Sequence, residues 1–329
     1  MVSIGLLGCG RIGHVHALSL SQIKNARLTA VADAVPEAAA ALGEEYGAEV
    51  RSAEDIIAAP DIDAVIVATP TTFHYDQIHA LAAAGKAIFC EKPIDLSSTR
   101  AAECMAAVDE AGVSFFTAFN RRFDPSFAAL QSRLAAGEIG TPEIVVITSR
   151  DPSPPPMSYI AQSGGMIRDM MIHDLDMARF LLGEEPVEVF ATGSCVVDPE
   201  IGAAGDIDTA VATLKTASGK ICVINNSRRA TYGYDQRIEV HGANGMLKAA
   251  NNLENLVEVA GTDGFTSAPN KHFFLERYAD AYRAEMVAFI AALDAGSSPT
   301  PGIKDGVAAQ RLADAAAKSI ETGRPVRLD

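Results

Sequence analysis

The first third of the chain alternates short apolar runs with longer segments whose apolar positions recur at helical spacing. Ser3–Leu7 reads as a strand and Ile12–Ile23 as a helix. Arg27–Ala32 is a second strand and Pro36–Tyr46 a second helix, with Pro36 suited to a first helical turn. Ala64–Thr69 is apolar almost throughout, as a strand buried on both faces of a parallel sheet must be. A helix from His74 to Ala84, a strand over Ala87–Cys90, a helix over Ser97–Ala111 and a strand over Val113–Phe119 continue the alternation. Strands alternating with helices of this length predict a doubly wound, Rossmann-type parallel α/β domain.

The pattern changes after Asn120. Pro154-Pro155-Pro156 marks a stiff extended loop. Beyond one helix, Ile167 to Leu182, the period becomes that of strands: Val187–Val197, Thr209–Thr216, Lys220–Arg228 and Gln236–His241. Consecutive strands with short turns predict an α+β domain built on a large, mostly antiparallel open sheet. Two Ala-rich helices, Glu276–Leu293 and Ile303–Thr322, end the pattern. The expected division is the parallel α/β domain over residues 1–120 and the α+β domain over 121–329, with the C-terminal helices able to pack back on the first.

Composition narrows the functional classes. A formal net charge of −15 repels nucleic acid and anionic membrane surfaces. No stretch reaches the roughly 18–20 continuous apolar residues that span a bilayer. Met1–Leu7 carries no basic segment, which predicts no secretion or transit peptide and a cytoplasmic protein. The five cysteines, Cys9, Cys90, Cys104, Cys195 and Cys222, are odd in number and widely spaced, as reduced buried thiols would be.

Gly8-Cys9-Gly10-Arg11-Ile12-Gly13 has the spacing G-x-G-x-x-G between a strand and a helix. Gly8 allows the tight turn, Gly10 lets the backbone approach a pyrophosphate, and Gly13 lets the helix pack on the strand. The pyrophosphate would lie against free N–H groups at the positive end of the helix. Asp33 closes the second strand, where a carboxylate accepts hydrogen bonds from ribose hydroxyls and repels a 2′-phosphate. NAD is therefore expected over NADP; Arg11 is the one feature that pulls the other way.

Glu91-Lys92-Pro93 lies at the carboxyl end of a strand, where open α/β sheets bind ligands, although a Lys there is also common as solvated surface. On the helix from Ile167, Asp169 and His173 stand four residues apart, on one face, with Cβ atoms about 5–6 Å apart. The carboxylate could orient the imidazole as a base, or the two could form an ordinary satisfied pair. A metal reading lacks a second suitably spaced His or a Cys pair, so no metal is expected.

Together the glycine motif, Thr69-Pro70-Thr71-Thr72-Phe73-His74, Glu91-Lys92-Pro93 and Asp169-x-x-x-His173 resemble the Gfo/Idh/MocA oxidoreductase family over essentially the whole chain. Ser149–Pro152, Arg168–Asp174 and Tyr232–Gln236 resemble its inositol-oxidising members. The resemblance implies NAD-dependent oxidation of myo-inositol to 2-keto-myo-inositol (scyllo-inosose). Another cyclic polyol or an aldose is the alternative within the family, and a non-catalytic NAD-binding sensor the alternative outside it. It implies that Lys92 binds the reacting hydroxyl, His173 takes its proton and Asp169 orients His173. It adds Arg11, Ile12, Thr69, His74, Glu91 and Lys92 to the three glycines and Asp33 as the cofactor site. Arg122, Asp176, Tyr234 (or Tyr232) and Tyr278, which would share a helix face with Tyr282, are implied as substrate contacts. A homotetramer is implied as well.

Overall fold

The structure, a computed structural model, describes residues 1–328 and divides into two compact units. The first comprises Met1–Phe123 and Asp280–Arg311, the second Asp124–Ala279 and Leu312 onward.

In the first unit six strands, β1 (Val2–Leu7), β2 (Ala26–Ala32), β3 (Glu49–Val50), β4 (Ala64–Val67), β5 (Ala87–Cys90) and β6 (Phe115–Thr117), form a parallel sheet in the order 3-2-1-4-5-6. This is the doubly wound topology expected of a dinucleotide-binding fold. The central strands are continuously apolar because their successive residues enter two different cores. Leu7, Val65, Val67 and Ile88 pack on one face with Ile56, Ile78 and Leu81. Ile4, Leu6, Ile66 and Phe89 pack on the other with Leu20, Leu42 and Phe116. The chain returns late to finish both: Met286, Phe289 and Ile290 join the second core, and Ile303 and Val307 the first.

In the second unit β7 (Pro142–Arg150), β8 (Pro186–Ser194), β9 (Thr209–Thr216), β10 (Ile221–Ser227), β11 (Asp235–Gly242) and β12 (Gly245–Ala249) form a seven-stranded sheet with a short strand at Val326–Arg327. The order is β12-β11-β7-β10-β9-β8 and then the terminal strand. All pairs are antiparallel except β7–β10. A separate hairpin, β13 (Glu258–Gly261) and β14 (Gly264–Ser267), precedes the C-terminal strand β15 (Val326–Arg327). Val145, Ile147, Ala212, Leu214, Cys222, Ile224, Ile238 and Val240 are buried on one face of the large sheet, where the helix Ile172–Leu182 packs on β7 and β10. Alternate residues Ile144, Phe190, Val211 and Ile221 are exposed on the other face.

The pattern reading leaves out the helices Ala53–Ala58 and Pro125–Ala135 and the strands β3, β12, β13, β14 and β15, and it departs from the structure in three further elements. The central strand β7 is absent from that reading, although Ile-Val-Val-Ile is a continuous apolar run of the kind that marks β4. The expected helix over Glu276–Leu293 is interrupted at Tyr278 (φ −111°, ψ 14°). Arg277 is buried against Asp124 and the Tyr278 hydroxyl donates to Gln236, so side-chain bonding overrides helical continuity there. Tyr278 and Tyr282 therefore do not share one uninterrupted helix face. Finally, the helix expected from Ile167 opens with a widened, π-type turn over Ile167–Met171 before the regular Ile172–Leu182.

Candidate active site

In the first unit the chain leaves β1 into the glycine loop and enters the helix Arg11–Ser21. Gly8 has φ +97°, and a Cβ there would stand 2.5 Å from the Ala68 carbonyl oxygen. A Cβ on Gly13 would stand 2.1 Å from the Gly8 carbonyl oxygen. Gly10 differs: a Cβ there would meet no protein atom within 4 Å, so a side chain would fill open space over the loop. The helix has no side-chain cap and no acidic residue in its first turn. An open cradle above uncapped N–H groups suits the pyrophosphate of a dinucleotide.

Asp33 follows β2 and holds this loop. One of its carboxylate oxygens accepts from the Cys9 N–H at 2.6 Å and the other from the Val35 N–H at 2.8 Å. An ionised carboxylate has about four lone-pair positions, which leaves capacity for ribose hydroxyls. Burial, with Asp33 adding to it, pushes the Cys9 thiol up to about 12, so Cys9 is no nucleophile at neutral pH.

Of the remaining first-unit candidates, Thr69, His74 and the Glu91-Lys92-Pro93 turn are joined by hydrogen bonds. Thr69 follows β4 and its hydroxyl donates to Gln77 at 2.6 Å. His74 is buried, with Nδ1 2.9 Å from the Pro93 carbonyl oxygen and Nε2 2.9 Å from that of Thr69. Both ring nitrogens are thus occupied by backbone, so His74 ties two loops together rather than facing outward. Glu91 is also buried, and its Oε1 lies 2.7 Å from Nε2 of His16, a residue absent from the sequence-derived site. A histidine three positions after Gly13 carries no signal of this, because its partner is 75 residues away. Arg11 is exposed and Ile12 and Lys92 are half-buried. Arg122 donates to Asp305 at 2.8 Å.

In the second unit Asp169 lies in the widened turn and His173 in the first turn of the helix that continues it. A spacing of four stays close to one turn in either geometry. Asp169 accepts a hydrogen bond from the Tyr159 hydroxyl at 2.9 Å, a partner the sequence reading missed. The start of this segment is anchored by Asp206, whose carboxylate oxygens accept from the Met166 N–H at 3.0 and 3.2 Å and which pairs with the buried Arg228 at 3.1 Å. Met171, Leu175, Ala178 and Leu182 are buried as the anchoring stripe.

The other expected substrate contacts are engaged within the protein. Asp176 is buried and 3.4 Å from the guanidinium of Arg179. Tyr234 and Tyr278 are buried and meet edge to face, with ring centroids 6.0 Å apart. Tyr278 donates to Gln236 at 3.0 Å. The half-exposed Tyr232 donates to Asp235 at 2.6 Å and accepts from Arg150 at 3.0 Å. No helix among the described residues is long and apolar enough to cross a membrane.

Comparison with known proteins agrees with this architecture. Residues 2–119 match the oxidoreductase family with NAD-binding Rossmann fold, and residues 127–248 match the Gfo/Idh/MocA C-terminal domain. The chain is 53% identical over 327 residues to inositol 2-dehydrogenase of Rhizobium meliloti (strain 1021), covering 99% of both chains. It is 45% identical over 328 residues to myo-inositol 2-dehydrogenase of Thermotoga maritima, covering 99% of this chain and 98% of the relative. The crystal structure of scyllo-inositol dehydrogenase from Lactobacillus casei, with bound NAD(H) and scyllo-inositol, superposes with a TM-score of 0.92 at 30% identity and covers 99% of each chain. The matches over both domains and nearly the full length of these relatives lead to one assignment: the chain belongs to the Gfo/Idh/MocA family of NAD-binding oxidoreductases.

Proposed function

We propose that this protein is a cytoplasmic inositol 2-dehydrogenase that oxidises myo-inositol to 2-keto-myo-inositol. The observation that carries this reading is the 53% identity, over 99% of both chains, to a protein named for that activity. Bound NAD supplies the hydride acceptor. The reacting CH–OH carbon gives up a hydride and its oxygen gives up a proton, so the alcohol becomes a ketone.

The chain's own residues bind, orient and accept the proton. The glycine loop and Asp33 hold the two ends of the adenosine pyrophosphate. The Lys92 ammonium donates to the reacting hydroxyl oxygen and stabilises the negative charge that develops on it. A ring nitrogen of His173 takes the hydroxyl proton, and Asp169 fixes the imidazole and favours its charged form. Arg122, Asp176, Tyr234 and Tyr278 stand in this reading as substrate-site residues. The Asp176, Tyr234 and Tyr278 bonds within the second unit favour a role in shaping the site.

The exposed apolar face of the large sheet, with Ile144, Phe190, Val211 and Ile221, supports a homotetramer in which other copies cover it. Light scattering at micromolar concentration checks this, and a monomer would overturn it.

The activity is tested by NADH formation with myo-, scyllo- and chiro-inositol, glucose and xylose, each with NAD and NADP. Saturable turnover of myo-inositol with NAD is expected. The scyllo-inositol complex of a 30% identical relative makes that isomer the second reading. Turnover confined to another polyol would replace the substrate, and tight NAD binding without turnover would favour a sensor.

A further inference from the structure

The Glu91-Lys92-Pro93 turn is held from two sides by buried imidazoles. On one side stands His16, from the helix that begins at the glycine loop. Its Nε2 lies 2.7 Å from Glu91 Oε1, while Glu91 Oε2 accepts from the Lys92 N–H at 3.2 Å. The carboxylate therefore links an imidazole to the peptide nitrogen of Lys92. The His16 ring is wedged edge-on between Phe89 (centroids 4.9 Å) and Tyr282 (6.0 Å), which leaves it little freedom to turn.

On the other side stands His74, at the start of the helix that follows the Thr69-Pro70 loop. Its ring spans from the Thr69 carbonyl to the Pro93 carbonyl, 2.9 Å at each end. Both partners are acceptors and burial pulls the His74 pKa down, so the neutral ring donates to one of the two carbonyls and packs its other edge against the second. Glu285 faces the same region with both carboxylate oxygens buried and without a hydrogen-bond partner. Burial, and then the charge of Glu91, push its pKa up, so it keeps its proton. Glu91 Oε1 is thus left to pair with His16 Nε2.

We propose that His16 and His74 are positioning residues for Lys92: they brace its turn from both ends and fix it to the glycine-loop helix and the Thr69-Pro70 loop. The cofactor cradle and the ammonium are then registered to one another before any ligand arrives, as orientation-dependent catalysis requires. The inference rests on the reading of Lys92 as the residue that holds the reacting hydroxyl.

The test compares His16→Gln with His16→Asn in the full-length protein, together with His74→Ala. The Gln amide reaches the position of Nε2 and can still donate to Glu91; the Asn amide stops at the position of Nδ1 and cannot. Amide hydrogen exchange at Lys92, Ile94 and Asp95 should quicken by roughly tenfold or more in His16→Asn and His74→Ala, and stay near the native rate in His16→Gln. The same two variants should lose about tenfold or more in kcat, while the Kd of His16→Asn for NAD changes by less than about threefold. Native exchange at these amides in both His16→Asn and His74→Ala would overturn the brace. The exchange readout needs no substrate, so the predicted exchange pattern in an enzyme that turns over none of the panel would support the brace and remove only the activity reading.

Discussion

The Tyr159 hydroxyl donates to the Asp169 carboxylate at 2.9 Å, from a short helix, Met157–Ser163, that lies just ahead of the widened turn. A carboxylate that orients an imidazole must itself be held. Tyr159→Phe should therefore lower kcat by roughly three- to tenfold, a neutral-to-charged hydrogen bond at a half-exposed position being worth about 1 kcal/mol. Steady-state kinetics with the NAD Kd as control would check this, and native kcat would rule the bond out as a support.

The proposed base is more demanding. His173→Ala should reduce kcat by about 10²-fold or more with NAD binding nearly unchanged, because a positioned general base commonly contributes ~10²–10⁴-fold. An active alanine variant would remove His173 from that role.

Gly10 and Gly13 should respond differently to alanine. At Gly10 the new methyl enters open space on an extended backbone (φ −74°, ψ −165°), so the variant should fold with native Tm. It should nevertheless lose at least roughly tenfold in NAD affinity, since the methyl takes the space of the pyrophosphate. At Gly13 the clash is with backbone, so Gly13→Ala should also lower Tm. Thermal melts alongside NAD titration separate the two.

Asp33 bonds the loop and leaves acceptor capacity for the ribose. Asp33→Asn should lower kcat/KM with NAD by roughly tenfold and narrow the preference over NADP, because the charge that repels a 2′-phosphate is gone. An unchanged NAD-to-NADP ratio would contradict the assigned role.

Asp208 makes a pH prediction. Burial by itself would raise its carboxyl. The N–H groups of Val196, Asp198 and Val197 and the Cys195 thiol outweigh burial and bring the pKa down to about 2. A folded pKa below the unfolded value gives stability that is complete above the unfolded pKa and is lost as pH falls through the folded one. Its contribution, at most about 2 kcal/mol, should persist from neutral pH to about 4 and fade between about 4 and 2. Urea midpoints of the native protein and Asp208→Asn should differ most at neutral pH and converge across that window; a constant difference would refute the assignment.

Much of the fold was legible in the chain because the local pattern and the tertiary role coincide. Ala64–Val67 is apolar at every position since it feeds two cores, and Gly8 and Gly13 are glycines because backbone lies where a Cβ would be. Asp169 and His173 share a face by spacing alone. The π-type turn that carries Asp169 and its Tyr159 partner were not legible in that spacing.

Tertiary structure alone decided the contacts between residues far apart in sequence. His16 meets Glu91 across 75 residues, and His74 reaches Pro93 across 19, where neither spacing nor composition records the pairing. Tyr278 leaves its helix because Gln236, 42 residues earlier, takes its hydroxyl, and β7 finds its place in the sheet through pairing with β10 and β11. Periodicity reports which face of an element is apolar; it does not report which buried polar atom will complete another's hydrogen bond, because that depends on the packed chain as a whole.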